Sequence, residues 1–153
     1  REAGLFNMVC EQRDVMAAST GGPEAIREFL TVLPRDLSIA LVYAQHIVDG
    51  FDEALAQSLQ KQFGWTTRIC RGEQRLAAGE LVVIPSDRQV RFLPFHRVLE
   101  GRQPWSGRYR PAIDSVVAQL ARMYQNRCGV IVFSGLCDDG ALGCGELVAL
   151  AVG

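Results

Sequence analysis

The sequence has no C-x-x-C pair. Its five cysteines, Cys10, Cys70, Cys128, Cys137 and Cys144, are scattered and odd in number. This excludes a regular disulfide framework or a zinc site of familiar spacing, and fits reduced thiols in a cytoplasmic protein. The chain also lacks an excess of either charge. Its 16 Lys and Arg stand against 17 Asp and Glu, a formal net charge of −1. No global electrostatic argument for nucleic acid or a membrane surface is then available. No apolar run reaches the ~18 residues needed to span a bilayer, and no signal-peptide pattern is seen. Internal repeats and low-complexity segments are absent. What remains is 153 residues, 48% hydrophobic and 22% charged. These values fit one soluble domain with a sizeable core.

One stretch dominates the pattern: Val15-Met16-Ala17-Ala18-Ser19-Thr20-Gly21-Gly22-Pro23. A short apolar run, read as a buried strand over 15–18, ends at a hydroxyl. Two glycines permit a sharp turn and a close substrate approach. Pro23, with φ preset and no N–H, suits the first position of a helix. Ser19 or Thr20 would then stand where unpaired helix N–H groups and the positive end of the helix dipole gather. Such a place suits a serine nucleophile, and equally a bound phosphate. It also suits a plain N-cap without chemistry.

From Pro23 the apolar residues Ala25, Ile26, Phe29, Leu30 and Leu33 recur at helical spacing until Pro34. Residues 1–12 show no clear period and read as a tail or a lead-in strand. Residues 38–44 form a continuous apolar run of strand length, as expected for a strand covered on both faces. Gln45 and His46 follow it, and residues 52–63 show helical spacing. Strand, helix and strand in succession imply a right-handed βαβ unit and a parallel sheet. In such sheets ligands bind beyond the carboxyl ends of the strands, where Ser19 and His46 would both lie.

Leu81 to Ile84 read as another strand. Pro85-Ser86-Asp87 is a turn signal, and residues 88–93 continue in extended form, so the spacing predicts an antiparallel hairpin appended to the sheet. Between residues 88 and 110, Arg88, Arg91, Arg97, Arg102, Arg108 and Arg110 stand against one acid, Glu100. The stretch reads as a solvated surface or as a basic face for an acidic partner. His96 has no obvious companion. Pro111 opens a helix with Ile113, Val116, Val117, Leu120 and Met123 along one face, and residues 128–134 form a third buried strand. Beyond it, Gly135 to Gly143 make a glycine-bearing turn that carries Asp138 and Asp139. Hydroxyl, imidazole and carboxylate each follow a buried strand, so they could serve as nucleophile, base and orienter. Two readings compete with this: a non-catalytic module that binds an anion or a receptor, and a cysteine hydrolase using Cys137. Cys137 does not open a clear strand-to-helix turn, which argues against the latter.

Ala18-Ser19-Thr20-Gly21-Gly22-Pro23-Glu24-Ala25, Gln45-His46, Arg110-Pro111-Ala112-Ile113-Asp114 and Ser134-Gly135-Leu136 with Asp139-Gly140-Ala141 together resemble the catalytic domain of the chemotaxis protein-glutamate methylesterases, the CheB type. The resemblance covers roughly residues 14–150. It implies a doubly wound α/β fold, a mostly parallel sheet with helices on both faces and an antiparallel hairpin. It implies hydrolysis of glutamate methyl esters on the cytoplasmic helices of chemoreceptors, and in many members deamidation of receptor glutamines. Carried over by motif, Ser19 is the nucleophile, His46 the general base and Asp139 the residue that orients His46. Thr20 and Leu136 are the candidate oxyanion donors, and Arg108 and Arg110 the candidates for substrate binding. No metal or organic cofactor is implied. The expected partner is the methylated receptor domain, with a phosphoacceptor receiver domain outside this chain. Cys137 stands where the family has glycine. The sequence also stops soon after the third motif, so the resemblance implies one catalytic domain over 1–153, incomplete at its carboxyl end.

Overall fold

The computed structural model describes residues 4–10, 30–31, 39–45, 50–107, 110–125 and 128–131. Strand β1 (Gly4–Cys10) is followed by β2 (Ile39–Gln45), helix α1 (Asp52–Phe63) and β3 (Thr66–Ile69). Next come β4 (Glu73–Arg75), β5 (Glu80–Val83), β6 (Val90–Leu93) and β7 (Arg97–Glu100). Helix α2 (Ile113–Tyr124) and β8 (Cys128–Ile131) complete the described elements. Leu30 and Thr31, within the helix expected after Pro23, are helical, and Leu30 is buried. The strand expected over 15–18 lies outside the described residues.

The main sheet has the order β3-β5-β2-β1-β8. β2 pairs in parallel with β5, and β5 in parallel with β3. β1 runs antiparallel to both β2 and β8, so β2, β3, β5 and β8 all point the same way. Residues 40–44 of β2 are all buried, as are Leu81, Val82, Val83 and Ile84. This is the result of covering a parallel sheet on both faces, where apolar residues run without alternation.

α1 buries Ala56 and Leu59, with Leu55 and Phe63 packed partly against the core. These positions recur at i, i+3 and i+4, one face of a helix. Gly64 ends the helix at φ 70, a left-handed position, and its N–H donates to the Gln60 carbonyl at 2.9 Å. Glycine adopts that conformation without a Cβ clash. α2 buries Ile113, Val116, Val117, Leu120, Ala121 and Tyr124. It matches the helix expected there, although Met123 is only partly buried and Tyr124 takes the inner position.

The hairpin lies elsewhere than the sequence predicts. β5 does not turn back on residues 88–93; it is held in parallel between β2 and β3. β6 pairs instead with β7, and β7 with β4, giving a second, three-stranded antiparallel sheet. The physical reason is Ser86. It is fully buried and bonded to Asp52, so the Pro85-Ser86-Asp87 stretch anchors the main sheet rather than reversing the chain. α2 covers one face of the small sheet. The Gln119 side chain accepts from the Phe92 N–H and donates to the Val90 carbonyl, both at 3.1 Å. It thus pairs the outer backbone row of β6, an edge strand that would otherwise be open.

The two sheets meet at a corner built by Arg71, Gly72 and Glu100. Arg71 donates to Glu100 at 2.7 Å and to Asp87 at 3.0 Å. The Gly72 N–H donates to the Glu100 carboxylate at 3.0 Å, and the Glu100 N–H to the Gly72 carbonyl at 2.8 Å. Cys70 is buried beneath this corner. Burial, and then the nearby negative charge of Glu100, push its thiol up to about 12, with Arg71 opposing. Below its ordinary value of 9.0 the thiol is protonated in both the folded and unfolded states. Between there and about 12 only the unfolded chain releases the proton, so the thiol's contribution to stability falls as pH rises across that window. The expected outcome is that Cys70 resists iodoacetamide at pH ~8 in the native protein and reacts on unfolding, because the thiolate is the reactive form. Mass-spectrometric mapping of the labelled cysteine checks this, and rapid native labelling of Cys70 would contradict it.

Candidate active site

Because β2, β3, β5 and β8 share a direction, their carboxyl ends lie along one edge of the sheet. This is the edge at which open α/β sheets bind ligands. β2 ends at Gln45, one residue before His46 in the sequence, and the described part of β8 ends at Ile131, upstream of Leu136 and Asp139. Ser19, Thr20, His46, Arg108, Leu136 and Asp139 themselves lie outside the described residues, as do Cys137 and Asp138. Of the site residues read from sequence, Arg110 is described. It is exposed and immediately precedes Pro111 and α2.

What the structure does show at this edge is a buried polar pair that sequence reasoning missed. Asp52, in the first turn of α1, is 4% exposed and Ser86, beyond the end of β5, is 0% exposed. One carboxylate oxygen, Oδ2, accepts from the Ser86 hydroxyl at 2.8 Å and from the Ser86 N–H at 3.1 Å. The other, Oδ1, is buried and meets no donor among the described residues. A carboxylate in a first helical turn is also favoured by the helix dipole. Just upstream, Gly50 has φ 92, a conformation that L side chains rarely adopt. The stretch containing His46 therefore starts at the end of β2 and finishes at a helical turn pinned to the loop after β5. Only an acid at the helix start and a serine after the strand mark this pair in the sequence, and neither signal is specific.

Beside it, the Trp105 indole N–H donates to the Pro85 carbonyl at 2.8 Å, both within the interior. Residues 101–105 fold back over the β5–β6 connection, where Gly101 N–H donates to the Gln89 carbonyl at 2.7 Å and Gln89 N–H to the Gln103 carbonyl at 2.9 Å. The arginines of 88–110 divide. Arg91 and Arg97 lie on the small sheet, whereas Arg110 lies at the entrance to α2. His96 is already engaged. Its Nδ1 is 3.2 Å from the Tyr124 hydroxyl, and the two rings stack with centroids 5.6 Å apart.

The buried pair yields a test. Ser86→Ala removes one donor and should destabilise the fold by about 1–3 kcal/mol. Asp52→Ala removes both acceptors, strands the Ser86 hydroxyl and N–H in the interior, and should do at least as much damage. Urea denaturation reads both, and changes under ~0.5 kcal/mol in both variants would show that the pair contributes little.

Comparison with known proteins accords with this architecture. The CheB methylesterase family profile matches residues 15–151. The protein-glutamate methylesterase/protein-glutamine glutaminase 3 of Paramagnetospirillum magneticum is 31% identical over 128 residues, which are 84% of this chain and 36% of that protein. Protein-glutamate methylesterase FrzG of Myxococcus xanthus is 30% identical over 132 residues, 86% of this chain and 40% of that protein. The chain thus spans well under half the length of these curated relatives. The crystal structure of the Thermotoga maritima CheB methylesterase catalytic domain superposes with a TM-score of 0.74 at 22% identity, over 87% of this chain and 72% of that one. That likeness shows the fold: α/β, with a largely parallel sheet flanked by helices. The family match extends over most of the sequence, and the chain belongs to the CheB methylesterase family.

Proposed function

We propose that this chain hydrolyses glutamate methyl esters on the cytoplasmic helices of chemoreceptors, and deamidates receptor glutamines at the same site. The observation that carries the reading is the family match over 15–151, which spans Ser19, His46 and Asp139 together. The common direction of β2 and β8 supports it, because both strands run toward the edge where such folds bind ligands.

In this mechanism the Ser19 hydroxyl attacks the ester carbonyl while His46 takes its proton. Asp139 holds the imidazole in the right tautomer and stabilises the imidazolium. The N–H groups of Thr20 and Leu136 receive the negative oxygen of the tetrahedral intermediate. When that intermediate collapses, the C–O bond to methoxide breaks, His46 returns the proton, and methanol leaves. Water then attacks the acyl-serine, losing its proton to His46 and regenerating Ser19 with a free glutamate. With glutamine the leaving group is ammonia. Histidine suits this cycle because its ordinary pKa of about 6.5 lets it hold and release a proton near neutral pH. No metal or organic cofactor enters. Arg108 and Arg110 would meet the carboxylates beside the scissile ester, and a receiver domain outside this chain would supply regulation.

Ser19→Ala should lower methanol release from methylated receptor by orders of magnitude with the fold intact. A near-normal rate would refute the serine assignment. Retained receptor binding with no methanol release from the wild-type chain would instead favour the non-catalytic binding module. His46→Ala should lose far more activity than His96→Ala, and equal losses would point to another base.

The adjacent acids separate in the same assay. Asp139→Asn should reduce turnover by orders of magnitude with little change in melting temperature. Asp138→Asn should leave it within a few-fold, because an amide and a carboxylate cap a helix similarly. The reverse ranking would shift the motif by one residue.

A further inference from the structure

The three-stranded sheet has one covered face and one open face. In its register Arg75 lies opposite Arg97, and Arg97 opposite Leu93. In the next row but one, Glu73 lies opposite Leu99, and Leu99 opposite Arg91. Directly paired residues share a face, and so do residues two apart on a strand. Arg75, Arg91 and Arg97 therefore stand on one face with Leu93 and Leu99. The opposite face carries Val90, Phe92 and Val98, all buried.

The open face is basic and incompletely neutralised. Glu73, its one acid, pairs with Arg97 at 3.2 Å. Arg75 and Arg91 are exposed, and neither makes an ion pair among the described residues. Like charges directly opposite on neighbouring strands, as at Arg75 and Arg97, are unfavourable in isolation. The hairpin tip adds a second unfavourable feature. Phe95 and His96 both have positive φ, 64 and 56, where glycine or asparagine would sit with less strain. Yet the tip holds a phenylalanine that is 83% exposed. Recesses of about 270 Å³ and about 310 Å³ flank it, and Arg75 lines both. Strain, an exposed ring and unpaired cations coincide at one place, as they do where a surface is kept for binding.

We propose that this face is a docking surface for an acidic helical segment of the receptor, whose carboxylates meet Arg75 and Arg91 and whose apolar side chain lies against Phe95. The identity of the partner rests on the methylesterase reading. Its acidic character rests on charge complementarity with the face. Leu93, Leu99 and Phe95 favour a protein over a nucleic acid, since a phosphate backbone offers them no apolar partner. The tip packs through His96 on Tyr124, the last residue of α2, which leads into the amino end of β8. The tip of the surface thus lies toward the amino end of β8, whereas its Glu73–Leu99–Arg91 row adjoins the Arg71–Glu100 corner just after the carboxyl end of β3.

The test is binding of a purified chemoreceptor cytoplasmic fragment, measured by calorimetry. Its affinity should fall with added salt. Arg75→Glu should weaken binding about tenfold, whereas Arg68→Glu, on β3 of the main sheet and off the docking face, should change it little. Phe95→Gly should weaken binding without lowering the melting temperature, because it relieves the backbone strain. A purely structural phenylalanine would give the opposite pair of results. The proposal is overturned if Arg75→Glu does no more than Arg68→Glu, if Phe95→Gly melts early, or if duplex DNA binds as tightly as the fragment. Methanol release from the methylated fragment in the same samples reads the esterase separately. Absent methanol with Arg75-dependent binding defeats only the esterase reading, and normal methanol with Arg75-independent binding defeats only the docking surface.

Discussion

The run Ala40 to Ala44 is the constraint from which the rest of the architecture follows. Five successive buried residues leave β2 no solvent-facing side. A strand of this kind must have a paired neighbour along each edge and a cover over each face. β5 and β1 supply the edges, in opposite senses. The apolar stripes of α1 and α2 contribute to the same core cluster. Once β2 is fixed in this way, the chain can leave it only at its carboxyl end, and the acid–hydroxyl pair of Asp52 and Ser86 closes the excursion that begins there. A hydrophobic requirement in the middle of the sheet thereby determines where polar chemistry can be presented at its rim.

How much of this was legible depended on whether a segment's own side chains decided its conformation. α1 and α2 were legible because their apolar residues recur at helical spacing, and β2 because nothing polar interrupts it. β3 was not, since Thr66-Thr67-Arg68-Ile69 offers one buried side chain and owes its extended form to pairing with β5. β4 is three polar or charged residues whose strand character comes from β7. The hairpin was misplaced because Pro85-Ser86-Asp87 has the composition of a tight turn, and only the distant partner Asp52 reveals that Ser86 is interior. The candidate site was read in a different way. Ser19, His46 and Asp139 rest on motif and lie outside the described residues. Asp52 and Ser86 carry no motif and came to light from burial and hydrogen bonding.

Among the described residues the polar groups differ between two places. The Asp52–Ser86 pair beyond the carboxyl ends of β2 and β5 is interior and tightly bonded. On the small sheet the polar groups are exposed and partly unpaired. The Arg71–Glu100 corner joins the two regions through exposed ion pairs, which individually stabilise little in water. The buried contacts beneath it, Cys70 and Val98 among them, carry more of the cohesion.

The side chain of Gln119 takes the place that a neighbouring strand would occupy beside β6. It succeeds because an amide offers a donor and an acceptor on adjacent atoms, as a peptide group does. A carboxylate of the same shape would still accept from Phe92 but could not donate to Val90. The β6 edge of this small sheet is thus finished by one functional group on a helix, a single-residue imitation of backbone that closes that edge to strands from other molecules.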